Sequence, residues 1–75
     1  MIKNKIKKII AEFIMIDSQE INDEDFLKEL GIDSLMTVEL ILKIEDSFNI
    51  LFNDSELNPE NLVTVKSLVE LVEKH

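Results

Sequence analysis

Apolar residues recur along three stretches of the chain at the spacing of an α-helix. Ile2, Ile6, Ile9, Ile10, Phe13 and Ile14 fall at i, i+3 and i+4 intervals, with lysines and Glu12 between them. This predicts an amphipathic first helix with one core stripe, fading near Met15 or Ile16, where Asp17-Ser18-Gln19 is polar and turn-prone. Thr37, Leu40, Ile41, Ile44 and Phe48 form the buried face of a second helix running from about Ser34 to Phe48. Val65, Leu68, Val69 and Val72 form that of a last helix, capped by Thr64 and ending near Glu73. Lys74 and His75 suit the negative end of its dipole.

The connections are patterned as well. Residues 17–33 form a long first loop punctuated by Ile21, Phe26, Leu27 and Leu30, so it is expected to lie packed on the helices. Within it, Glu24 to Leu30 reads as a short helical turn ended by Gly31. Asn49 to Asn53 is a break in which Ile50, Leu51 and Phe52 are expected to be partly buried. Asp54-Ser55-Glu56-Leu57 starts a short third helix that ends by Pro59, because the residue before proline avoids the α region. The predicted fold is all-α: a small antiparallel four-helix bundle with three longer helices, one short third helix and a long first loop. It forms a single domain over residues 1–75. With no cysteine there is neither a disulfide framework nor a thiolate metal site, so a domain of this size depends on helix packing.

The second helix has more apolar surface than one core stripe requires. Leu35, Val38 and Leu42 fall on another side, beside Glu39, Glu45 and Asp46, with Met36 near the helix start. Two uses fit such a strip. Either the first loop covers it, or it docks against a basic, partly apolar groove on a partner.

Charge narrows the partners. The net charge of −8 argues against nucleic acid and against anionic membrane surfaces. No run approaches the ~20 apolar residues of a membrane span, and lysines interrupt the first apolar residues as no signal peptide would allow. A monomeric, cytoplasmic protein is expected. Asp17, Glu20, Asp23, Glu24 and Asp25 crowd the first loop, but they lack the alternating ligands, central glycine and closing glutamate of an EF-hand. A solvated acidic loop is the expectation there, with no metal site.

One stretch carries candidate chemistry: Leu30-Gly31-Ile32-Asp33-Ser34-Leu35. Gly31, the only glycine, suits a sharp change of direction, and Asp33 and Ser34 are both good N-cap types. The Ser34 hydroxyl would sit at a helix N-terminus, where free N–H groups and the macrodipole favour a phosphate. Such a string is also what an ordinary turn and cap look like. Catalysis by the chain itself fits poorly. The single histidine is His75, no Gly-x-Ser-x-Gly elbow surrounds Ser34, and neither a base nor an oxyanion hole is identifiable. No catalytic residue is expected.

This stretch, followed by Thr37-Val38-Glu39-Leu40 and Glu45-Asp46-Ser47-Phe48, closely resembles the acyl carrier proteins. The resemblance runs over nearly the whole chain, through Leu57-Asn58-Pro59-Glu60-Asn61 and Thr64-Val65. It implies that Ser34 is the attachment site for 4′-phosphopantetheine, transferred from coenzyme A by a phosphopantetheinyl transferase that Asp33 helps to recruit. The terminal thiol of that arm would then hold an acyl group as a thioester. The resemblance also implies that the second helix meets basic docking patches on acyl-loading, elongating and acyl-transfer enzymes through Leu35, Met36, Val38, Glu39, Leu42, Glu45 and Asp46.

Met36 stands where carriers of primary fatty acid synthesis usually place an acid, and the connection from Phe48 to Thr64 is slightly longer than theirs. Both look more like carriers of polyketide or other specialised pathways. An aminoacyl carrier of the D-alanyl or peptidyl type, or an unmodified helical adaptor, remains an alternative. Phe13, Ile41, Ile44, Leu62 and Leu68, which could line an interior for the acyl chain, are expected simply to pack the core.

Overall fold

The computed structural model describes residues 2–75, with the side chains of all but Pro59 and Glu60. Its long elements are α1 (Ile2–Ile14), α2 (Ser34–Phe48) and α3 (Val65–Glu73), joined by 3₁₀ turns at Ser18–Glu20, Asp54–Glu56 and Pro59–Leu62. The architecture is all-α. Among the described residues the one β-type feature is an isolated antiparallel bridge between Phe26 and Thr64.

Three left-handed residues set where the helical turns end. Met15, Gly31 and Asn49 have φ of 62°, 87° and 56°. After each comes an isoleucine whose N–H reaches back five residues: Ile16 to Ala11, Ile32 to Leu27 and Ile50 to Glu45, all at 3.0 Å. These are Schellman-type closures, which satisfy otherwise unpaired terminal carbonyls and turn an apolar residue back onto the helix. Ile32 is buried, and Ile16 and Ile50 pack half-buried against the core. The chain thus reverses at the residues the hydrophobic pattern marks.

The core gathers Ile6, Ile10 and Ala11 of α1, Leu40, Ile41 and Ile44 of α2, and Val65, Leu68, Val69, Leu71 and Val72 of α3. Leu71 joins the expected α3 stripe because this helix is covered over a broad arc. The first loop is packed, as its apolar residues require: Ile21 and Leu27 are both buried. It is also stitched to the start of α3. Val65 N–H donates to Asp25 O at 3.1 Å, Lys66 N–H to Asp23 O at 2.8 Å, and Leu27 N–H to Val63 O at 2.9 Å. Two N–H groups that a helix start leaves unpaired therefore find partners in the loop.

Four expectations need correction. The short third helix begins at Asp54 as expected but is 3₁₀ rather than α, spans only Asp54–Glu56, and is followed by a second 3₁₀ turn at Pro59–Leu62, past its expected end. Asn53 N–H donates to Glu56 Oε1 at 2.8 Å, Asn58 Oδ1 accepts from Asn61 N–H at 3.1 Å, and Asn61 Nδ2 donates to Glu56 O at 2.8 Å. Such local side-chain bonds compete with the helical ladder, and Asn58 is extended before Pro59. The acidic loop is not merely solvated. Each Asp23 carboxylate oxygen lies 2.8 Å from a lysine ammonium of α1, Lys3 on one and Lys7 on the other. The bond from Lys3, then that from Lys7, lowers the Asp23 pKa from its ordinary 3.8 to about 2. Leu51 is not partly buried but exposed, because Ile50 and Phe52 on either side turn inward. Phe48 and Thr37, expected on the buried face of α2, are only half-buried.

Candidate functional site

Gly31 closes the loop turn, Ile32 is drawn into the core, and the chain emerges at Asp33 already aimed along α2. Asp33 is the N-cap. Its backbone is extended, and its Oδ1 accepts from Met36 N–H at 2.9 Å. The Asp33 carbonyl accepts both from Thr37 N–H at 2.9 Å and from Thr37 Oγ1 at 2.8 Å, which explains why Thr37 does not turn fully inward. Ser34 is therefore the first helical residue, locked by the cap before it. Asp33 and Ser34 are both exposed. Among the described residues, no side-chain hydrogen bond engages the Ser34 hydroxyl.

Ser34 lies on the rim of a groove of about 740 Å³ between the first loop, the start of α2 and the segment leading into α3. Phe26, Leu27, Ile32, Val38, Leu57 and Leu62 supply much of its lining, with Lys28, Glu29 and Asp33 at polar positions. The sequence pattern did not reveal this groove, because its walls come from three separate segments. The usable signal was the row of apolar residues in the two connections, more than an ordinary loop needs.

The strip on α2 is open. Leu35 is 76% exposed, and Val38 and Leu42 are each 59% exposed, so the first loop does not cover them. Glu39 and Asp46 are exposed beside them. Met36 and Glu45 behave differently. Met36 is half-buried against the core, and Glu45 Oε2 accepts from Phe52 N–H at 2.9 Å, folding the following loop back on the end of α2. Both residues thus have internal work that helical spacing alone cannot reveal. Among the described residues no three His, Cys, Asp or Glu side chains converge as a metal site. No described helix is long and apolar enough to cross a membrane.

The site thus offers an exposed, unengaged serine hydroxyl at a helix start, beside an apolar groove. A family model described as "Phosphopantetheine attachment site" matches residues 4–72. The chain is 44% identical over 75 residues to the acyl carrier protein of Buchnera aphidicola subsp. Baizongia pistaciae, covering 99% of this chain and 94% of that one. It is 42% identical over 74 residues to that of Buchnera aphidicola subsp. Acyrthosiphon pisum, covering 97% and 90%. The crystal structure of an acyl carrier protein from Thermotoga maritima superposes with a TM-score of 0.67 at 33% identity, over 92% of this chain and 87% of that one. The chain belongs to the acyl carrier protein family. Its prosthetic group is 4′-phosphopantetheine. The residues present fit that group: an exposed hydroxyl at the first position of a fifteen-residue helix can place a phosphodiester against free backbone N–H groups.

Proposed function

We propose that Ser34 is the residue that receives the arm, and that Asp33 is read by the transferase that installs it. The observation that carries this reading is the exposed, unengaged Ser34 hydroxyl at the start of α2. In the transfer, the Ser34 oxygen forms a bond to the phosphorus next to pantetheine, the pyrophosphate bond of coenzyme A breaks, and the nucleotide leaves as the serine proton is lost. Asp33 is suited to recognition because its cap bond to Met36 N–H holds the carboxylate in a fixed orientation beside the hydroxyl. When bound, the arm supplies a thiol that carries an acyl group as a thioester. The protein's own residues position, shield and present. They do not catalyse.

The groove at Ser34 supports part of that work, since its apolar lining can cover the cargo between reactions. The strip of Leu35, Val38 and Leu42 with Glu39 and Asp46 supports the rest. Acids steer basic partners quickly, and a weak, largely electrostatic contact lets each one leave. Partner enzymes with basic docking patches, a monomeric state and a cytoplasmic setting belong to the same reading. The finer assignment, a carrier of a specialised pathway, rests on Met36 and on the connection from Phe48 to Thr64. Because Met36 is half-buried, core packing accounts for part of its identity, and the length of the connection is the stronger support.

Intact mass tests the reading. After incubation with coenzyme A, magnesium and a promiscuous phosphopantetheinyl transferase, the parent is expected to gain one phosphopantetheine and Ser34→Ala none. Equal gain by both, or by neither while both stay folded, would overturn the assignment.

A further inference from the structure

The groove beside Ser34 holds one cation in an otherwise acidic neighbourhood. Among its described lining residues the charged side chains are Lys28, Glu29 and Asp33, so Lys28 is the only base. The other seven lysines stand elsewhere. Four lie on α1, Lys43 sits 6.0 Å from the centre of the Phe13 ring, and Lys66 and Lys74 lie at the two ends of α3. Backbone bonds fix where Lys28 stands. Its carbonyl accepts from Gly31 N–H at 3.1 Å, its neighbour Leu27 is buried, and Ile32 N–H reaches back to Leu27 O at 3.0 Å. That closure returns the chain toward Leu27 just before α2, so a lysine six positions ahead of Ser34 borders the same groove. The Lys28 side chain is exposed and uncommitted. Among the described residues the lysine ion pairs are those of Lys3 and Lys7 with Asp23, and no carboxylate engages Lys28. Asp33 Oδ1 is taken instead by Met36 N–H.

We propose that Lys28 is the counter-ion for the phosphodiester that joins the arm to Ser34, and that this pairing lays the start of the arm along the groove. The proposal rests on Ser34 being the attachment site. Attachment adds a negative charge to a chain already at −8, on a groove that carries Glu29 and Asp33. The N–H groups at the start of α2 answer part of that charge, but Asp33 already occupies that of Met36. An ammonium on the groove wall supplies the rest. As a compact charge on a flexible stem, it follows the phosphate without imposing one geometry. The pair is exposed, so it is weak and screened by salt. Weakness suits a carrier, because the arm must leave the groove to reach a partner enzyme and an exposed pair opens at little cost. Lys28 is therefore a positioning residue for the attached arm.

The test compares the parent, Lys28→Gln and Lys28→Arg, each unmodified and phosphopantetheinylated, with peptide mapping to confirm one arm on Ser34. Two readouts need no partner enzyme: the phosphorus resonance of the phosphodiester, and the change in melting temperature that the arm brings. At low ionic strength, attachment is expected to be less favourable for Lys28→Gln than for the parent by about 1–4 °C in that change. Lys28→Arg should follow the parent, and about 0.5 M salt should close the gap. The phosphorus resonance of Lys28→Gln should differ from that of the other two at low salt and converge with them at high salt. A lysine that only supported its own turn would alter the unmodified and modified forms of Lys28→Gln alike. That equal change would overturn the proposal, and so would coincident phosphorus resonances in all three proteins at low salt. Absence of the arm from Ser34 would overturn the attachment reading itself, and the mass shows it before either readout is taken.

Discussion

At the scale of single residues, the backbone does as much as the side chains to present Ser34. Gly31 sits at φ 87°, and a Cβ added there would meet nothing within 4 Å, so the cost of any side chain is conformational alone. Gly31→Ala is expected to destabilise the fold by about 1 kcal/mol through that left-handed strain. Met15 is the mirror case. It occupies φ 62° with its side chain 90% exposed, so it carries the strain without gaining burial. Met15→Gly is expected to stabilise by roughly 1 kcal/mol, visible as a rise of about 4–8 °C in melting temperature. A fall would mean that the turn after α1 depends on Met15 for something other than its conformation. Asp33→Ala removes the cap to Met36 N–H and should cost about 1 kcal/mol by chemical denaturation. Transfer onto Ser34 should slow beyond what that loss of stability explains.

At the scale of elements, the first loop and α1 form one electrostatic unit. Asp23 ties the loop to Lys3 and Lys7 through its side chain and to Lys66 N–H through its carbonyl. Its pKa falls on folding, from 3.8 to about 2, so its contribution is fully present above about pH 4 and is lost as pH drops toward 2. Glu56 acts in the same direction. Its pKa is lowered first by the bond from Asn53 N–H and then by His75. Asp23→Asn should therefore lower stability at neutral pH and flatten its fall between about pH 4 and 2. Denaturation curves across that range check this, and parallel curves for the two proteins would contradict it.

The three long helices were legible because each carries a single clear period, and the start of α2 because Gly31, Asp33 and Ser34 speak together. The apolar strip was legible too, though not whether the loop would cover it. The internal contacts of Met36 and Glu45 were not legible, for a common reason. Helical spacing assigns a face but cannot say that a methionine folds under or that a glutamate turns to cap a neighbouring loop. The 3₁₀ turns around Pro59 and the outward Leu51 depend on asparagine side-chain bonds and on the burial of Phe52. These are tertiary facts without a periodic signature.

At the scale of the whole molecule, the charge is lopsided. The chain carries 16 acidic side chains against 8 lysines. Four of the lysines lie on α1, where Lys3 and Lys7 hold Asp23 and Lys5 lies 4.7 Å from the centre of the Phe48 ring. Repulsion among the excess acids should oppose folding, while exposed ion pairs offset little of it. Raising salt from low concentration to about 0.5 M is expected to raise the melting temperature. A flat or falling response would mean the local ion pairs outweigh the net repulsion. The same excess charge suits the succession of basic partners proposed above, each met and released in turn.

The central claim is that Ser34 carries the arm, and mapping the added mass on fragmented peptides tests it most directly. Ser18, Ser47, Ser55 and Ser67 serve as internal controls in the same digest. The account predicts phosphopantetheine on the peptide that contains Ser34, fragmenting to place it on that residue and leaving the other four unmodified. The same mass on any of those four, with Ser34 bare, would contradict it.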